Sequence, residues 1–529
     1  MKSSMQSITL VPRQALTLVC AALVLAGCTV GPDYKGTPVA PSAATFVRAL
    51  KTGVIVATPM PAAWWQSLND SQLNELIAAA LAHNPDLHVA QARLREARAQ
   101  LSQQRSNALP KTSANLAAIR TRAPDINTLS ALTGANNANG SNSQADTSPI
   151  PLYTASFDAT WEIDLFGGTR RAIEAASAQA EAVDADLADT QVSIAAEVAN
   201  AYVDLRDQQQ RLALSQRTDD LQKQQLNLTW QRRGRGVATD ADIERLTTQV
   251  ENTHALLIRL DAQVTESLDR LATLTGRAPG ELDVQLSGAN PALPSLPESL
   301  PIGDPAALLK QRPDVRAAER HLASSNAQIG EHVADYFPKV TLLGELGFSA
   351  GDPGHLFRKQ NRTWVGVPYL QWNLFDFSRT RGAVRAAEAS RDEAEANYTK
   401  AVLGALQDAN TALSRYGHQR DHVVALDTVR TSVVHAARLM DQRYRAGVSS
   451  LIDLLETQRD VLSAQQNLIT GQAELIKDYV SLQKSFGLGW QNGQADATTA
   501  TAGAGMTTAP TAAVEKKLVG FTSRGLQMQ

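Results

Sequence analysis

The chain has 529 residues, a formal net charge of −3 and a mean hydropathy of −0.22. So balanced a charge offers no broad basic surface for nucleic acid, and the hydropathy excludes a polytopic helical membrane protein. The length is enough for more than one domain.

At the N-terminus, Lys2 and Arg13 flank a short apolar core at residues 15–25. That core is too short to span a bilayer, so residues 1–27 read as a signal peptide. It ends in Leu25-Ala26-Gly27-Cys28, which resembles the bacterial lipobox. On that resemblance Cys28 becomes the first mature residue and carries covalent lipid. Several acyl chains together anchor stably where a single chain binds marginally. Cys20 falls in the removed segment, so the mature chain has no thiol pair and no disulfide framework. Beyond the lipid no cofactor is expected. Residues 28–70 form the lipidated N-terminal segment.

The rest of the chain to residue 490 is a duplication. Arg312-Pro313-Asp314 follows Asn84-Pro85-Asp86 by 228 positions, and Pro338-Lys339 follows Pro110-Lys111 by the same interval. Trp372, Phe377, Thr380 and Arg381 then follow Trp161, Phe166, Thr169 and Arg170 by 211, as Gly447 follows Gly236 and Gly487 follows Gly276. One structural unit is therefore used twice, at residues 71–290 and 300–490. The first copy carries 17 more residues (228 less 211) between its Pro-Lys and its Trp.

Each copy supplies two expected strands, at about 111–122 and 153–166, then 338–350 and 363–376. Phe157, Ala159, Trp161, Ile163 and Leu165 alternate with Asp158, Thr160, Glu162 and Asp164. Val340, Leu342, Leu346 and Phe348 share one face, and Trp364, Leu370, Trp372 and Leu374 share another. Period two marks a strand with one apolar face. About ten residues is the length that crosses a bilayer when tilted, with Trp161, Trp364, Tyr369 and Trp372 as its aromatic girdle. A soluble antiparallel sheet with one wet face has the same pattern. The extra residues of the first copy, around Gly134, Asn136, Asn139 and Gly140, are low-complexity polar sequence and read as a solvent-facing, extracellular loop.

After the strands come helical hairpins, 170–276 and 380–487. Residues 171–233 lack both proline and glycine, and at 1.5 Å per residue such a run reaches roughly 95 Å. Residues 382–444 are also proline-free, with internal Gly404 and Gly417. Glycine turns at Gly234-Arg235-Gly236 and Ala446-Gly447 end the two runs. Leu454, Val461, Leu468, Leu475 and Leu482 recur every seventh residue, as do Ile243, Val250, Leu257, Val264 and Leu271. Such heptads call for coiled packing. A helix bundle shows heptads too, but helices this long imply a tubular body. Just upstream, Leu214, Leu221 and Leu228 form one row and Leu205, Leu212 and Leu226 another, about 200° round the helix, so this helix is expected to bury two opposite flanks, as a stave does. Residues 491–529 are an Ala/Thr/Gly-rich tail expected to be disordered.

Four strands cannot close a barrel, because both edges would lie unpaired in lipid. Several chains must pool them, and two, three or four are all permitted. The pooled body would be a conduit with Asp158, Glu162 and Asp164 facing its lumen. Nothing in the chain binds or hydrolyses a nucleotide. His418 and His422 stand i, i+4, but Gln419 occupies the place of the glutamate that would make the pair catalytic, so a solvated helix face is expected. No enzyme is implied.

Taken in order, Cys28-Thr29-Val30-Gly31-Pro32-Asp33-Tyr34, Trp64-Trp65, Asn84-Pro85-Asp86-Leu87, Trp161-Glu162-Ile163-Asp164-Leu165-Phe166-Gly167, Arg312-Pro313-Asp314-Val315, Phe337-Pro338 and Tyr444-Arg445-Ala446-Gly447 resemble one family. It is the outer-membrane efflux lipoproteins of resistance-nodulation-division systems, the NodT/OprM branch of the TolC superfamily. The resemblance covers about residues 25–490. It implies a membrane α+β fold: a homotrimer with a twelve-stranded transmembrane β-barrel, four strands per chain, continuing into a periplasmic α-helical barrel. It also implies a periplasmic adaptor protein, an inner-membrane proton-driven transporter and export of small molecules. Thr29, rather than an aspartate, follows Cys28, which fits sorting to the outer membrane.

By the same resemblance, acidic residues at Asp453 and Glu456 ring a constricted periplasmic tip, with Asp242 matching Asp453 in the first copy. Carboxylates pooled from several chains would favour cations and raise one another's pKa. Arg235, Arg445 and Tyr444 could tie neighbouring hairpins shut. A helix-start role for the three carboxylates is also open. Ser449 stands where TolC carries an arginine, so the latch need not be the same. Gly236, Val237 and Ala238, with Gly447, Val448 and Ser449, resemble the adaptor-docking tips. A duct for protein secretion and a non-conducting envelope lipoprotein remain as alternatives; the lipobox and the Gly31-Pro32-Asp33-Tyr34 start favour efflux.

Overall fold

The computed structural model describes residues 29–37, 55–56, 62–121, 150–288, 292–297, 300–301, 311–375 and 377–490. The signal peptide, Cys28, the long polar loop and the tail after Trp490 lie outside the described residues. Two short strands, β1 (Ile55–Val56) and β4 (Leu300–Pro301), pair in parallel. The first repeat is built of α1 (Ser71–His83), α2 (Pro85–Ser106), β2 (Lys111–Thr121), β3 (Ile150–Ile163), α3 (Gly168–Gly234), α4 (Asp240–Leu274) and the single turn α5 (Asp283–Leu286). The second runs α6 (Pro313–Ala334), β5 (Lys339–Ala350), β6 (Arg362–Gln371), α7 (Phe377–Arg445) and α8 (Leu451–Ser485).

The helix starts follow from their caps. Asn84 Oδ1 accepts the backbone N–H groups of Asp86 and Leu87, and Pro85 takes the first helical position, where a missing N–H costs nothing. The second repeat keeps the proline but replaces asparagine with Arg312. Both residues nevertheless reach the matching helix end. Asn84 Nδ2 donates to Leu274 O at 2.9 Å, and Arg312 Nη1 donates to Ser485 O at 2.7 Å. These carbonyls are among those a helix C-terminus leaves without an intrahelical partner.

A single antiparallel sheet orders its strands β2-β3-β5-β6. Its register carries one apolar row across all four: Phe157 stands opposite Ala114 and Leu346, and Leu346 opposite Trp364. The other face carries Ser113, Asp158 and Glu345 in line. The last strand is shorter than its sequence pattern, ending at Gln371. Trp372 leaves the ladder and its indole N–H donates to Tyr336 O at 3.0 Å. Trp161, still paired within β3, likewise donates its indole N–H to Ala108 O at 3.0 Å. Each repeat thus fastens a strand end to the end of the preceding helix by an equivalent tryptophan.

The two 67- and 69-residue helices, α3 and α7, each extend about 100 Å. Their partners α4 and α8 have only 35 residues. The first half of α3 therefore packs on α2 and α6, and its second half on α4; α7 divides likewise between α6 and α8. The main core lies where these groups meet, around Trp64, Tyr202, Leu205, Tyr479 and Phe486. Buried alanines 195, 196, 199 and 201 let α3 approach closely there. Tyr479 meets Trp64 edge to face at 6.2 Å, and Tyr202 donates to Asp70 at 2.8 Å, so the buried hydroxyl is satisfied.

Candidate functional site: the sheet faces and the hairpin tips

The apolar face of the sheet is bare, with Phe157 70% and Trp364 74% exposed. Exposed apolar surface on this scale marks a membrane or a partner. Trp161 and Trp364 lie on it, while Trp372 stands just beyond the strand end. Tyr369 does not, because it pairs with Thr341 on the polar face. Among the described residues β2 and β6 each keep one unpaired edge.

On the polar face Asp158 accepts from Asn115 and Ser156. Glu162 shares that face, but Asp164 does not act with them. It accepts the Arg170 backbone N–H at 2.9 Å and the Arg170 Nε–H at 3.3 Å, capping the start of α3. Its expected lumen position is thus corrected: the strand has already ended at Ile163.

The tips are two copies of one device. Gly236 and Gly447 have φ of +76° and +73°, open to glycine without strain. Around them Val237 N donates to Arg232 O and Gly236 N to Arg233 O; Val448 N donates to Arg443 O and Gly447 N to Tyr444 O. This is the two-bond helix ending that a left-handed residue completes. The returning helices then open with reciprocal caps. Thr239 Oγ1 accepts Asp242 N–H at 3.2 Å and Asp242 Oδ2 accepts Thr239 N–H at 3.0 Å. Ser450 and Asp453 repeat both bonds at 3.2 and 3.0 Å.

These bonds hold the Asp242 and Asp453 carboxyls below the usual carboxylate range, for Asp453 through the Ser450 hydroxyl first and its N–H second. Within one chain the direction is opposite to that expected from crowding: a capped carboxylate favours its charged form. Tyr444 accepts from Arg232 Nη1 at 2.9 Å, tying the second hairpin to the first. Arg445 is engaged within its own helix by Asp441 at 2.9 Å, and Arg235 is exposed at the turn. So of the three residues expected to tie hairpins, Tyr444 does so inside the chain.

Two contacts escaped the sequence reading. Arg232 is one. The bidentate pair of Arg233 with Asp240, at 2.7 and 2.8 Å, is the other. Basic residues ending one helix and an acid opening the next were the available signal. Below the turns Leu246, Leu451, Leu454 and Leu455 pack the two tips together. Val237 and Val448 each project 66% exposed, with Ala238 and Ser449 half-buried behind them. Glu456 lies a turn beyond Asp453, at a groove between the hairpins.

The flanks of the hairpins are unfilled. Leu221 and Leu228 are 65% and 58% exposed, whereas Ser215, Asp219, Gln222 and Thr229 on the same helix face the chain's own interior. His418 turns its Nδ1 back toward Ser414 O at 2.7 Å. Among the described residues no group of three or more His, Cys, Asp or Glu could hold a metal ion, and no helix is long and apolar enough to cross a membrane.

A bare-faced sheet with two open edges, continued by hairpins whose apolar flanks lack partners, is one share of a TolC-like outer-membrane channel. The family described as outer membrane efflux protein matches residues 76–277 and 305–488. Similar proteins include TtgC of Pseudomonas putida, a probable efflux pump outer membrane protein, 30% identical over 492 residues that span 92% of this chain and 98% of TtgC. Nodulation protein T of Rhizobium leguminosarum bv. trifolii is 29% identical over 471 residues, 88% of this chain and 96% of its own. The solved outer-membrane channel OprN shares 36% identity at a TM-score of 0.78, covering 88% of this chain and 100% of OprN. The chain belongs to the outer membrane efflux protein family, in its NodT/OprM branch, and is an outer-membrane efflux component.

Proposed function

We propose that three copies of this chain pool their strands into one twelve-stranded barrel and their hairpins into a tube, and that the assembly passively exports small toxic molecules. The unpaired edges of β2 and β6 and the bare leucines of α3 carry this reading, since each needs a neighbour. An inner-membrane transporter of the resistance-nodulation-division class supplies the driving force through a periplasmic adaptor. The adaptor docks at Gly236, Val237 and Ala238 and at Gly447, Val448 and Ser449; the two exposed valines support that role.

Lipid on Cys28 anchors the chain in the outer membrane. In support, the next residues are strapped to the strand–helix junction. Val30 N donates to Phe166 O, and Asn326 Nδ2 donates to Pro32 O, both at 3.0 Å. Arg171, 3% exposed, donates to Val30 O at 3.2 Å and to Asp33 at 2.6 Å. An anchor held there lies at the base of the bare sheet face. The tips close the tube when idle, with Asp453, Glu456 and Asp242 lining the narrowing.

Planar-bilayer recording of the purified protein tests the reading: a trimer with discrete conductance is expected, and a non-conducting monomer overturns it. A deletion strain should become sensitive to small molecules; loss of a secreted protein instead would assign the tube to secretion.

A further inference from the structure

The bare face of the sheet carries charge at one end only. β2 and β5 lead away from the helices, and β3 and β6 return to them. Thr121, Ile150, Ala350 and Arg362 therefore mark the end remote from the helices. The bare face takes the even positions of β2, β5 and β6 and the odd positions of β3. Among the described strand residues these include no acid and two bases, Arg120 and Arg362. Both are exposed, and both stand at the remote end. Lys111 and Lys339, at the helix end, belong to the polar face.

The loop between β5 and β6 meets the bare face beside Arg362. Phe357 sets its ring edge to face with Phe348 at 5.5 Å, and Phe348 stands opposite Arg362. Phe357 is nonetheless 71% exposed. Arg358 and Lys359 follow it and are exposed too. Asp352, the one acid of this loop, accepts the Gly354 N–H and faces His355 at 3.9 Å.

Depth gives this pattern a meaning. Arg362 is separated from Leu370 by roughly 26 Å along β6, or about 20 Å of depth at the tilt of a membrane strand, close to the height of the apolar band. An arginine facing lipid at mid-depth is costly. At the boundary its stem can lie on the apolar wall while the guanidinium reaches the headgroups. An exposed aromatic ring suits the same boundary. The guanidinium fork matches phosphate through two parallel N–H donors.

The inference rests on the pooling of strands proposed above, which sets β6 of one copy beside β2 of the next. β6 runs toward the helices and β2 away from them, so the seam is antiparallel. Arg362 and the next copy's Arg120 then share one face at one end.

We propose that each seam holds the phosphate head of an anionic lipid in the outer leaflet. Arg362 and Arg120 grip its oxygens, Arg358 and Lys359 add charge, and Phe357 lies among the upper acyl carbons.

Native mass spectrometry of the full-length protein in neutral detergent tests it, with bilayer conductance read on the same preparation. The probes are diphosphoryl lipid A and its dephosphorylated form. Up to three diphosphoryl molecules per trimer are expected, held at least about tenfold tighter than the dephosphorylated lipid. Arg120→Gln combined with Arg362→Gln should remove that preference while trimer mass and conductance stay unchanged. Lys111→Gln, on the polar face at the helix end, should leave the preference intact. Equal binding of the two lipids, a preference that survives the double variant, or an equal loss in Lys111→Gln overturns the proposal. The comparison of the two lipids on the parent protein decides the matter if the double variant does not fold. A conducting trimer without the preference overturns the lipid site alone, whereas a non-conducting monomer overturns the channel reading and the seam with it.

Discussion

Arg232 places its guanidinium 5.6 Å from the ring centre of Tyr444 while donating to the Tyr444 hydroxyl at 2.9 Å. The last turn of α3 in the first hairpin is thereby joined to the last turn of α7 in the second. Tyr444→Phe keeps the ring contact and removes the hydrogen bond, worth about 1 kcal/mol. If the tips close the tube, the parted state should gain about fivefold in population. Single-channel recording should show more open time. Arg232→Met should act in the same direction, and the double variant should add less than the sum of the two. An additive double variant would mean that the residues do not work as a pair.

The Asp453 cap has a pH signature. Its folded pKa lies below the ordinary value, so the cap contributes stability above the usual carboxylate range and loses it as pH falls through the folded value. Asp453→Ala should melt at a lower temperature than the parent at neutral pH. The gap should close in strongly acidic buffer, where the parent carboxyl is also neutral. A constant gap across pH would remove the charge from the explanation. Asp242→Ala should follow the same course through Thr239.

At Gly447 the backbone alone decides. A Cβ there would meet nothing within 4 Å, yet φ is +73°. Gly447→Ala should therefore cost about 1–2 kcal/mol from conformation only, and Gly447→Asn less. Chemical denaturation read on the helical signal would measure both. Equal losses for the two would point to a contact rather than to the left-handed turn.

Leu228→Glu should leave the single chain folded, since the side chain is already 58% exposed, but should break its assembly. The expected result is full helicity with a monomer in sedimentation. A trimer of normal stability would show that this flank faces solvent in the assembly.

Much of the architecture could be read from the residues, for physical reasons that differ by element. Leu454, Leu468, Leu475 and Leu482 recur at seven and are buried, because their partners lie within the same chain. Leu221 and Leu228 recur at the same spacing and are bare, because heptad spacing records that a neighbour exists and not which chain supplies it. Polar Ser215 and Gln222 facing inward ran against the usual binary pattern, so that stripe gave no warning of burial. In the sheet, parity decides the face. Tyr369 stands an odd number of residues from Trp364 and so belongs to the wet side, whatever its affinity for interfaces. At the tips the glycines and capping carboxylates were legible from spacing alone. The Arg232–Tyr444 contact was not, because it joins residues 212 apart whose meeting depends on how the hairpins lie together.

The paired indoles of Trp161 and Trp372 bear on mechanics. Each pins a strand terminus to the carbonyl end of a helix, one per repeat. A twisting load applied to the helices therefore reaches the sheet through two stiff rivets rather than through slack loops. If the tips part as proposed, the bending would fall to the two glycine turns, while strand ends and helices fastened in this way would travel as one body.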